Sequence, residues 1–329
     1  MAVPGTQRTV PATILAPIYS RMVSHFDNQI MPAHKPYPTF ALAAADVLKY
    51  LHNRYGFGLW MVTRTEENDW IVLHAEDHGY GVKPGAVFRW ADSFCSQMVI
   101  GRGPCIAPRS DDVPAYAAAP IGSQVQIGAY VGIPLKDADG ELFGTLCAID
   151  PLPQSDELIK EQHAIELIGR LLSTCLVAEL KSSAEARSDL RLDVSRLVDR
   201  ESGALSQAGW EQYAAAEEIR CQKFGHPATL LSLKVPSDQE WPLREVVSAV
   251  SKVLTADEVI ARVEGKSELL ALLPESDSGA GKLALAKVEE ALKAFPGIVV
   301  KAVSRDPRRG IQAAVEELLG SENQGERPV

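Results

Sequence analysis

The sequence predicts an α+β protein with two domains joined by a long helix, and three observations lead to this prediction. At 329 residues the chain exceeds the roughly 250–300 residues at which single hydrophobic cores stop growing. Its first half reads as helix, strand pair, mixed loop, strand pair and helix, an order typical of an antiparallel sheet with helices on one side. Residues 155–200 then carry apolar side chains at helical spacing.

Composition and charge disfavour some classes of function. Hydrophobic residues make up 46% of the chain and charged residues 23%, as in an ordinary globular protein. The net charge of −10 and the pI near 5.3 disfavour a nonspecific hold on nucleic acid or on anionic lipid, because both need clustered Lys and Arg. No stretch reaches the roughly 18 apolar residues that a membrane span requires, so the expected location is the cytoplasm.

The cysteines are scattered along the chain, without a C-x-x-C pair or a histidine set at zinc-ligand spacing. They are Cys95, Cys105, Cys147, Cys175 and Cys221. Most are expected to be small buried side chains in a reducing compartment, and no metal or other cofactor is predicted. His74, His78 and His163 are likewise expected to face solvent rather than to ligate a metal.

The first part of the chain is predicted to contain an arm and a compact domain. Residues 1–36 hold several prolines around a short helix and are interpreted as an N-terminal arm. "TFALAAADVLKYLHNRY" then predicts a helix, and "FGLWMVTRTEENDWIVLHAED" predicts two strands around a polar turn. A short helix over 92–101 is predicted with Asp92 as its cap. The Asp-Gly turn in "IGAYVGIPLKDADGELFGTLCAID" predicts a second hairpin.

Two stretches of this domain are similar to a known family. "AYVGIPLKDADGELFGTLCAIDP" resembles the C-terminal half of a GAF domain, and "GPCIAP…VPAYAAAPIGSQVQIGAY" resembles the loop that precedes it. Residues 37–180 are therefore identified as a GAF domain. The resemblance implies a pocket for a small ligand or signal between the sheet and its loops, commonly in a dimer whose terminal helices pack together.

Candidate pocket residues are aromatic or soft side chains, which suit an apolar cavity with a few polar groups. They are Trp60, Phe94, Cys95, Met98, Tyr116, Tyr130 and Cys147. The Cys-His dipeptide of bilin-binding GAF domains is absent, and the Asn-Lys-Phe-Asp-Glu set of cyclic-nucleotide GAF domains is not visible, so the ligand stays unidentified. Cys95 lies just inside the predicted helix start, where the dipole would lower its pKa, and a redox-sensing thiol is a second interpretation.

The helix that leaves this domain is expected to link it to the second domain over 181–198. Apolar residues follow one another along this helix at a three-four spacing. They are Ile165, Ile168, Leu172, Cys175, Leu176 and Leu180. Such a stripe is typical of a helix that pairs with a second chain, so a homodimer through 155–198 is predicted. The alternative is that the stripe packs on its own domain.

The second domain, residues 199–320, opens with "DRESGALSQAGWEQYAAAEEIRCQKFGHPATLLSLKV". This stretch resembles the start of a GGDEF domain, the diguanylate cyclase family, and the resemblance implies a truncated α/β sandwich of the nucleotide-cyclase type. Asp199 and Gly203 fit the opening motif of the family, while Ser202 replaces its threonine. Residues 321–329 are interpreted as a polar tail.

The positions that carry the chemistry of this family differ in this chain. The family holds Mg²⁺ with an Asp-x-Asp pair at the end of the first strand, and the equivalents here are Lys234 and Pro236. Magnesium requires hard oxygen ligands, and an ammonium group repels it. The guanine-binding segment that should precede "LREVVSAVSKVL" is deleted, and the product-site arginine is replaced by Leu254 or Thr255, depending on register.

The hairpin "ARVEGKSELLALLPESD" occupies the place of the Gly-Gly-Asp-Glu-Phe turn, with a register that stays open by one residue. Its tip holds Gly265, Lys266, Ser267 and Glu268. The resemblance therefore implies a bacterial-type signalling protein whose GAF sensor acts on a non-catalytic GGDEF-like output domain with a signalling-protein partner. Two alternatives remain open: a diguanylate cyclase that makes cyclic di-GMP from GTP, and a small-molecule or redox binding module.

Overall fold

The computed structural model describes residues 35–236, 241–263 and 268–320. The described residues from Thr39 onward form one compact unit that contains two β-sheets. Nearly all of the predicted arm over 1–36, the predicted tail over 321–329 and the hairpin tip over 264–267 lie outside the described residues.

The first domain is built around a six-stranded sheet. Its strands are β1 (Leu59–Glu66), β2 (Asp69–Asp77), β3 (Val87–Arg89), β4 (Ile106–Ala107), β5 (Ala129–Lys136) and β6 (Leu142–Asp150). They lie in the order β3-β2-β1-β6-β5-β4, and every neighbouring pair is antiparallel. The predicted antiparallel sheet is confirmed.

Helices and loops cover the two faces of this sheet differently. The helices of this part of the chain are α1 (Phe40–Tyr55), α2 (Phe94–Val99), α3 (Pro114–Ala117) and α4 (Gln162–Val194). Successive side chains of a strand point to opposite sides of a sheet. In β1, Trp60 and Val62 therefore join the core beneath α1 and α4, while Leu59 and Met61 join the core beneath α2 and the loops.

Helix α2 begins later than predicted and has a different cap. The Oγ of Ser93 accepts a hydrogen bond from the backbone N–H of Ser96 at 3.0 Å, which satisfies one of the free amides of the first turn. Asp92 instead ends a preceding 3₁₀ turn, Trp90–Asp92. The prediction of Asp92 as the cap was wrong because this extra turn shifts the start of the helix.

Helix α4 has 33 residues and is about 50 Å long. It follows a 3₁₀ turn, Asp156–Glu161, so it is shorter than the helix predicted over 155–200. It also runs without a break across the domain boundary predicted at residue 180.

The predicted dimer stripe of α4 faces the interior of its own chain. Ile165, Leu172 and Leu176 are buried in the core of the first domain, and Ile168 and Leu180 pack against that core. Cys175 is exposed on another side of the helix. The prediction that this stripe meets a second chain was wrong, because the first sheet offers it a larger apolar surface within the chain.

The second domain is an α/β sandwich, as predicted, and its sheet has four antiparallel strands. Its strands are β7 (Ala228–Lys234), β8 (Val259–Arg262), β9 (Glu268–Pro274) and β10 (Val299–Ser304), in the order β10-β7-β9-β8. Its helices are α5 (Gln207–Phe224), α6 (Leu243–Ser251), α7 (Ser278–Ala291) and α8 (Gly310–Gly320). Helices α5 and α8 share one core with the sheet, and α6 and α7 share the other.

The second domain packs directly on the first. Phe224, the last residue of α5, is fully buried in the core of the first domain. Gly225 follows with a φ of 66° and lies against the side chain of Arg64. At the start of α7, the hydroxyl of Ser278 donates to Glu67 in the β1–β2 turn. These contacts leave little freedom for one domain to move without the other.

No helix in the part of the chain that the structure describes combines the length and the hydropathy that a membrane span requires.

Candidate functional site

A cavity of about 330 Å³ lies between the first sheet and the loops on the face opposite α1 and α4. Side chains from five strands line it, among them Leu59, Trp70, Tyr130 and Cys147. Residues from loops 80–86 and 121–127 and the start of α2 complete the wall. The cavity thus occupies the space between sheet and loops in which the sequence analysis expects a pocket.

The wall of the cavity is formed by uncharged side chains. None of the described residues that line the cavity has a charged side chain. The hydroxyl of Tyr80 donates to the backbone oxygen of Gln126 at 3.0 Å, and the hydroxyl of Tyr130 donates to Sγ of Cys95 at 3.2 Å. Gln124 presents a side-chain amide at the solvent edge. An anion entering this cavity would lose its hydration without gaining a cationic partner, whereas an uncharged apolar molecule would gain buried contact.

Stacked aromatic rings support the inner wall. The rings of Phe94 and Tyr116 are stacked with centroids 4.8 Å apart, and the ring of Tyr130 meets that of Tyr116 edge to face at 5.0 Å. The hydroxyl of Tyr116 donates to the carbonyl oxygen of Pro104 at 2.5 Å. A Cβ at residue 132 would lie 1.8 Å from the hydroxyl oxygen of Tyr130. The absence of a side chain at Gly132 therefore leaves space for the Tyr130 side chain.

The structure divides the predicted pocket residues into three groups. Four of them line the cavity. These are Phe94, Cys95, Tyr130 and Cys147. Met98 and Tyr116 are buried behind the lining. Trp60 does not line the cavity: it lies on the opposite face of the sheet, with its ring centroid 5.5 Å from that of Phe57.

Two of the lining residues are thiols that share hydrogen-bond donors. The hydroxyl of Thr145 lies 3.5 Å from Sγ of Cys95 and 3.6 Å from Sγ of Cys147. Burial raises the pKa of the Cys95 thiol, but hydrogen bonds from Cys147, Thr145 and Tyr130 outweigh burial, so that this pKa lies below its ordinary value. Burial, together with the neighbouring Cys95, raises the pKa of Cys147 well above its ordinary value.

Sequence reasoning missed most of the aliphatic lining, including Leu59, Met61 and Ile127. The missing information was the register of β1 against β6. Met61 pairs with Cys147 in the register of β1 and β6, and Leu59 follows on the same face two residues earlier. Taking alternate residues of β1 from the neighbour of Cys147 would have found both side chains and left Trp60 out.

The degenerate cyclase positions lie at one end of the second sheet. Lys234 ends β7, and its Cα partner in the antiparallel pair with β9 is Glu268. Pro236 follows two residues after the strand end. Gly265, Lys266 and Ser267 lie outside the described residues. Across the described ranges, no group of three or more His, Cys, Asp or Glu side chains is placed to hold a metal ion.

The opening motif of the second domain forms a hydrogen-bonded turn. Oδ1 of Asp199 accepts from the backbone N–H of Ser202 at 2.8 Å and from its hydroxyl at 2.7 Å. These bonds, with a further contribution from Arg262, hold the pKa of Asp199 below its usual value. Gly203 completes the turn with a φ of 74°. Asp199 therefore serves the local structure.

A second cleft, of about 180 Å³, lies where the sequence analysis finds no product-site arginine. Leu254 and Thr255 line it, but α4 contributes Arg191 from elsewhere in the chain. The Nη2 of Arg191 lies 3.4 Å from the backbone oxygen of Glu258, and its buried Nε has no hydrogen-bond partner among the described residues. Sequence reasoning missed the Arg191 guanidinium because no motif in the neighbouring sequence indicates that it lies in this cleft.

Comparison with known proteins identifies one family. The family model of the GAF domain matches residues 39–176. No curated protein matches the chain.

Three solved structures show similarity to the chain. PelD from Pseudomonas aeruginosa PA14, in its apo form, is 16% identical over 95% of this chain and 97% of that chain, with a TM-score of 0.28. Diguanylate cyclase SiaD, in complex with its activator SiaC from Pseudomonas aeruginosa, is 18% identical over 51% and 74% of the two chains, with a TM-score of 0.35. The GAF-B domain of DevS from Mycobacterium smegmatis is 16% identical over 45% and 95%, with a TM-score of 0.32.

Proposed function

Residues 39–176 form a GAF domain, and from this premise we propose that the chain is a signalling protein whose GAF domain binds a small, uncharged and mostly apolar molecule. The observation that carries the proposal is the cavity of about 330 Å³ with its uncharged wall. Its volume lies at the small end of the roughly 300–1,000 Å³ that ligand pockets span. The ligand is accordingly compact, with the size of one or two fused rings.

The polar groups of the wall suggest how such a ligand is oriented. The amide of Gln124 stands at the solvent edge, and the hydroxyl of Tyr130 stands deep in the cavity. A ligand with one hydroxyl or carbonyl group would direct it to one of these two positions and bury the rest of its surface against side chains such as Leu59 and Ile127. Burial of apolar area then supplies most of the binding free energy.

The second domain, in this proposal, is an output module without cyclase activity. Lys234 occupies the strand end at which the resemblance implies a magnesium-binding carboxylate, and Glu268 is its partner across the strands. Phosphoryl transfer depends on a metal that neutralises the phosphate charges, and an ammonium group at that place disfavours the metal. The direct packing of this domain on the GAF domain, through Phe224, supports a regulatory role in which it reports the state of the sensor to a partner protein.

The proposal includes a homodimer through an exposed stripe of α4, distinct from the buried one. Leu167 and Leu171 are 47% and 58% exposed, and Ala164, Cys175 and Ala178 are exposed beside them. The spacing of these five residues is the same in both directions from Leu171. A second copy related by a two-fold axis there would place Ala164 against Ala178 and Leu167 against Cys175, which makes the surface complementary to itself.

Ligand binding is tested with two probes of equal size and different charge, 2-naphthol and 2-naphthoate. Calorimetric titration of the full chain should show saturable binding of 2-naphthol and much weaker binding of 2-naphthoate. Native mass spectrometry of freshly purified protein then identifies any ligand retained from the cell. Equal binding of the two probes would contradict an uncharged site.

A variant locates the binding. Ala86→Phe adds a ring to the cavity wall and should abolish 2-naphthol binding, because the added side chain fills the space. Ala286→Phe makes the same change on the exposed face of α7 and should leave binding unchanged. Undiminished binding of 2-naphthol by Ala86→Phe would show that the ligand binds outside this cavity.

The enzyme alternative is tested separately. Incubation of the pure protein with GTP and Mg²⁺ should yield no cyclic di-GMP above a protein-free blank. Formation of the product, lost on boiling the protein, would show that the second domain is a diguanylate cyclase and overturn its assignment as a non-catalytic output.

A further inference from the structure

The inner end of the GAF cavity holds two cysteines on different elements of the fold. Cys147 lies in β6, opposite Gly132 of β5 and Met61 of β1. Cys95 lies in the first turn of α2, which covers the sheet from above. Their exposed fractions are 1% and 0%, and both side chains line the cavity. The thiols are therefore closed to bulk solvent and reachable only from within the cavity.

The two sulfur atoms belong to one hydrogen-bond cluster. The hydroxyl of Thr145 lies within 3.6 Å of both sulfur atoms, and each thiol affects the pKa of the other. The hydroxyl of Tyr130 makes a further donor to Cys95, at 3.2 Å. Cys95 thus faces two hydroxyl donors, Tyr130 and Thr145, whereas the hydroxyl near Cys147 is that of Thr145.

A chain of hydroxyl groups extends this cluster into the sheet. The indole N–H of Trp70 donates to Oγ1 of Thr63 at 2.9 Å, and Oγ1 of Thr63 lies 2.9 Å from Oγ1 of Thr145. When the Thr63 hydroxyl donates to Thr145, the Thr145 hydroxyl is left to donate to sulfur. Buried polar groups of this kind stabilise negative charge on the acceptor at the end of the chain, which is Cys95.

We propose that Cys95 and Cys147 form a reversible dithiol switch that is oxidised to a disulfide by a small, uncharged hydroperoxide entering the cavity. The Cys95 thiolate attacks the terminal oxygen of the hydroperoxide, the O–O bond breaks, and the alkoxide leaves as an alcohol after taking up a proton. Cys147 then attacks the sulfenic acid on Cys95 and displaces water. The sum is two thiols and one hydroperoxide giving one disulfide, one alcohol and one water.

The wall of the cavity selects this class of oxidant. A thiolate must be reached before it can react, and both sulfur atoms lie behind apolar side chains. A disulfide such as oxidised glutathione is too large for the cavity, and its charged groups would find no partner among the uncharged side chains of the wall.

Oxidation would change the cavity that the ligand occupies. In a disulfide, the sulfur of Cys95 is a poorer hydrogen-bond acceptor than a thiolate, so the hydroxyl groups of Tyr130 and Thr145 lose a favourable acceptor. A buried donor left without an acceptor is costly, and Tyr130 must turn toward another partner. Because its ring also packs on Tyr116, the change reaches the aromatic stack behind the cavity. The inference rests on the proposed function only in requiring that small molecules enter the cavity.

The test treats the fully reduced chain with cumene hydroperoxide, with hydrogen peroxide or with oxidised glutathione, and follows intact mass and peptide maps. Cumene hydroperoxide should remove two hydrogen atoms from the chain and link the peptides of Cys95 and Cys147, and dithiothreitol should reverse the change. Oxidised glutathione should leave the pair reduced.

Variants assign the two roles. Cys147→Ser should stop the reaction at a sulfenic acid on Cys95, which dimedone traps. Tyr130→Phe keeps both thiols but removes one donor to Cys95, and it should slow formation of the link severalfold without preventing it. This second variant keeps the test valid if a serine substitution at the buried Cys147 prevents folding.

Two outcomes would overturn the inference: both thiols remain free under cumene hydroperoxide, or Cys95 links to Cys105 instead. Binding of 2-naphthol is measured on the same samples to separate this failure from failure of the proposed ligand site. Binding without the disulfide contradicts only the dithiol switch, and the disulfide without binding contradicts only the ligand proposal.

Discussion

The guanidinium of Arg187, in α4, and the carboxylate of Glu217, in α5, form an ion pair in the interior of the protein. The Nε of Arg187 donates to Oε1 of Glu217 at 3.0 Å, and the two residues are 4% and 1% exposed. Charged side chains this deeply buried are rare unless they are paired, because removing each one from water costs several kcal/mol. The pair therefore fixes the connecting helix to the second domain at one defined place.

Other charged or polar side chains surround this ion pair. Nη2 of Arg187 also lies 2.6 Å from a carboxylate oxygen of Glu275, and Arg220 lies 2.6 Å from Glu217. His226 lies 3.2 Å from Glu275. Because Arg187 contacts both carboxylates, a rotation or slide of α4 would break two ion pairs at once. This arrangement suits a helix that carries a signal between domains as a rigid body.

The first prediction concerns the stability contributed by this pair. Arg187→Met leaves Glu217 with Arg220 and Glu275 with His226 as neighbours, and the free energy of unfolding should fall by about 3–5 kcal/mol. Glu217→Met should have a loss of the same order. The double variant should lose roughly 1–3 kcal/mol less than the sum of the single losses, because the unpaired charges are removed together.

Urea unfolding followed by circular dichroism measures these values. Lys181→Met, an exposed change on the same helix, serves as the control and should alter the unfolding free energy by less than about 0.5 kcal/mol. Strictly additive losses in the double variant would show that the two side chains do not stabilise each other.

The second prediction concerns His74, which was expected to face solvent and is instead half-buried, with its ring 6.0 Å from that of Phe40. Burial lowers the pKa of His74 from 6.5 to about 4. The unfolded chain therefore binds a proton that the folded chain does not bind between these pH values. The stability from neutral His74 is fully present above pH 6.5 and is lost as pH falls toward 4, by up to about 3 kcal/mol.

The measurement compares the native chain with His74→Leu from pH 7 to pH 4. The difference in unfolding free energy between them should decline as pH falls, because only the native chain carries this titrating group. His163→Leu, a change at an exposed histidine of α4, should show no such decline. A difference that stays constant with pH would mean that His74 is not desolvated in the folded state.

The sequence predicted the two sheets because their signals are local. Alternating apolar residues and an Asp-Gly turn identify β5 and β6 without any knowledge of the rest of the chain, and Cys95 could be placed at the start of a helix. Which face of the sheet each strand residue occupies, however, does not depend on neighbouring residues in the sequence. Trp60 and Met61 are both apolar and both buried, so the strand pattern alone could not indicate which of them lies toward the cavity.

Long-range contacts explain the other differences. Helix α4 carries two apolar stripes, one through Leu172 and one through Leu171, and periodicity does not reveal which stripe the sheet will cover. The partners of Arg187 lie 30 and 88 residues away along the chain, beyond any motif. The cavity lining and the ion cluster thus depend on packing between elements, whereas the elements themselves depend on neighbouring residues.

The third prediction concerns the proposed dimer. Leu171→Glu places a charge at the centre of the exposed stripe of α4 and should convert the dimer to a monomer, because two copies would bring two carboxylates together. Sedimentation equilibrium over a range of concentrations measures the dissociation constant. Leu283→Glu, at a leucine of α7 that is 59% exposed, makes the same chemical change away from the stripe and should leave the dimer intact. Retention of the dimer by Leu171→Glu would exclude this face.

The last prediction separates backbone strain from interdomain packing with two glycines. Gly56 ends α1 with a φ of 72° and nothing near its absent Cβ, whereas Gly225 ends α5 with a φ of 66° and would place a Cβ 2.8 Å from Cγ of Arg64. Alanine at either residue has the same left-handed strain, about 1–2 kcal/mol. Gly225→Ala should cost roughly 1–3 kcal/mol more than Gly56→Ala, because the added methyl group presses on the first domain. Equal losses in urea unfolding would show that the two domains do not pack tightly at Gly225, and with that the route from sensor to output through the end of α5 would be lost.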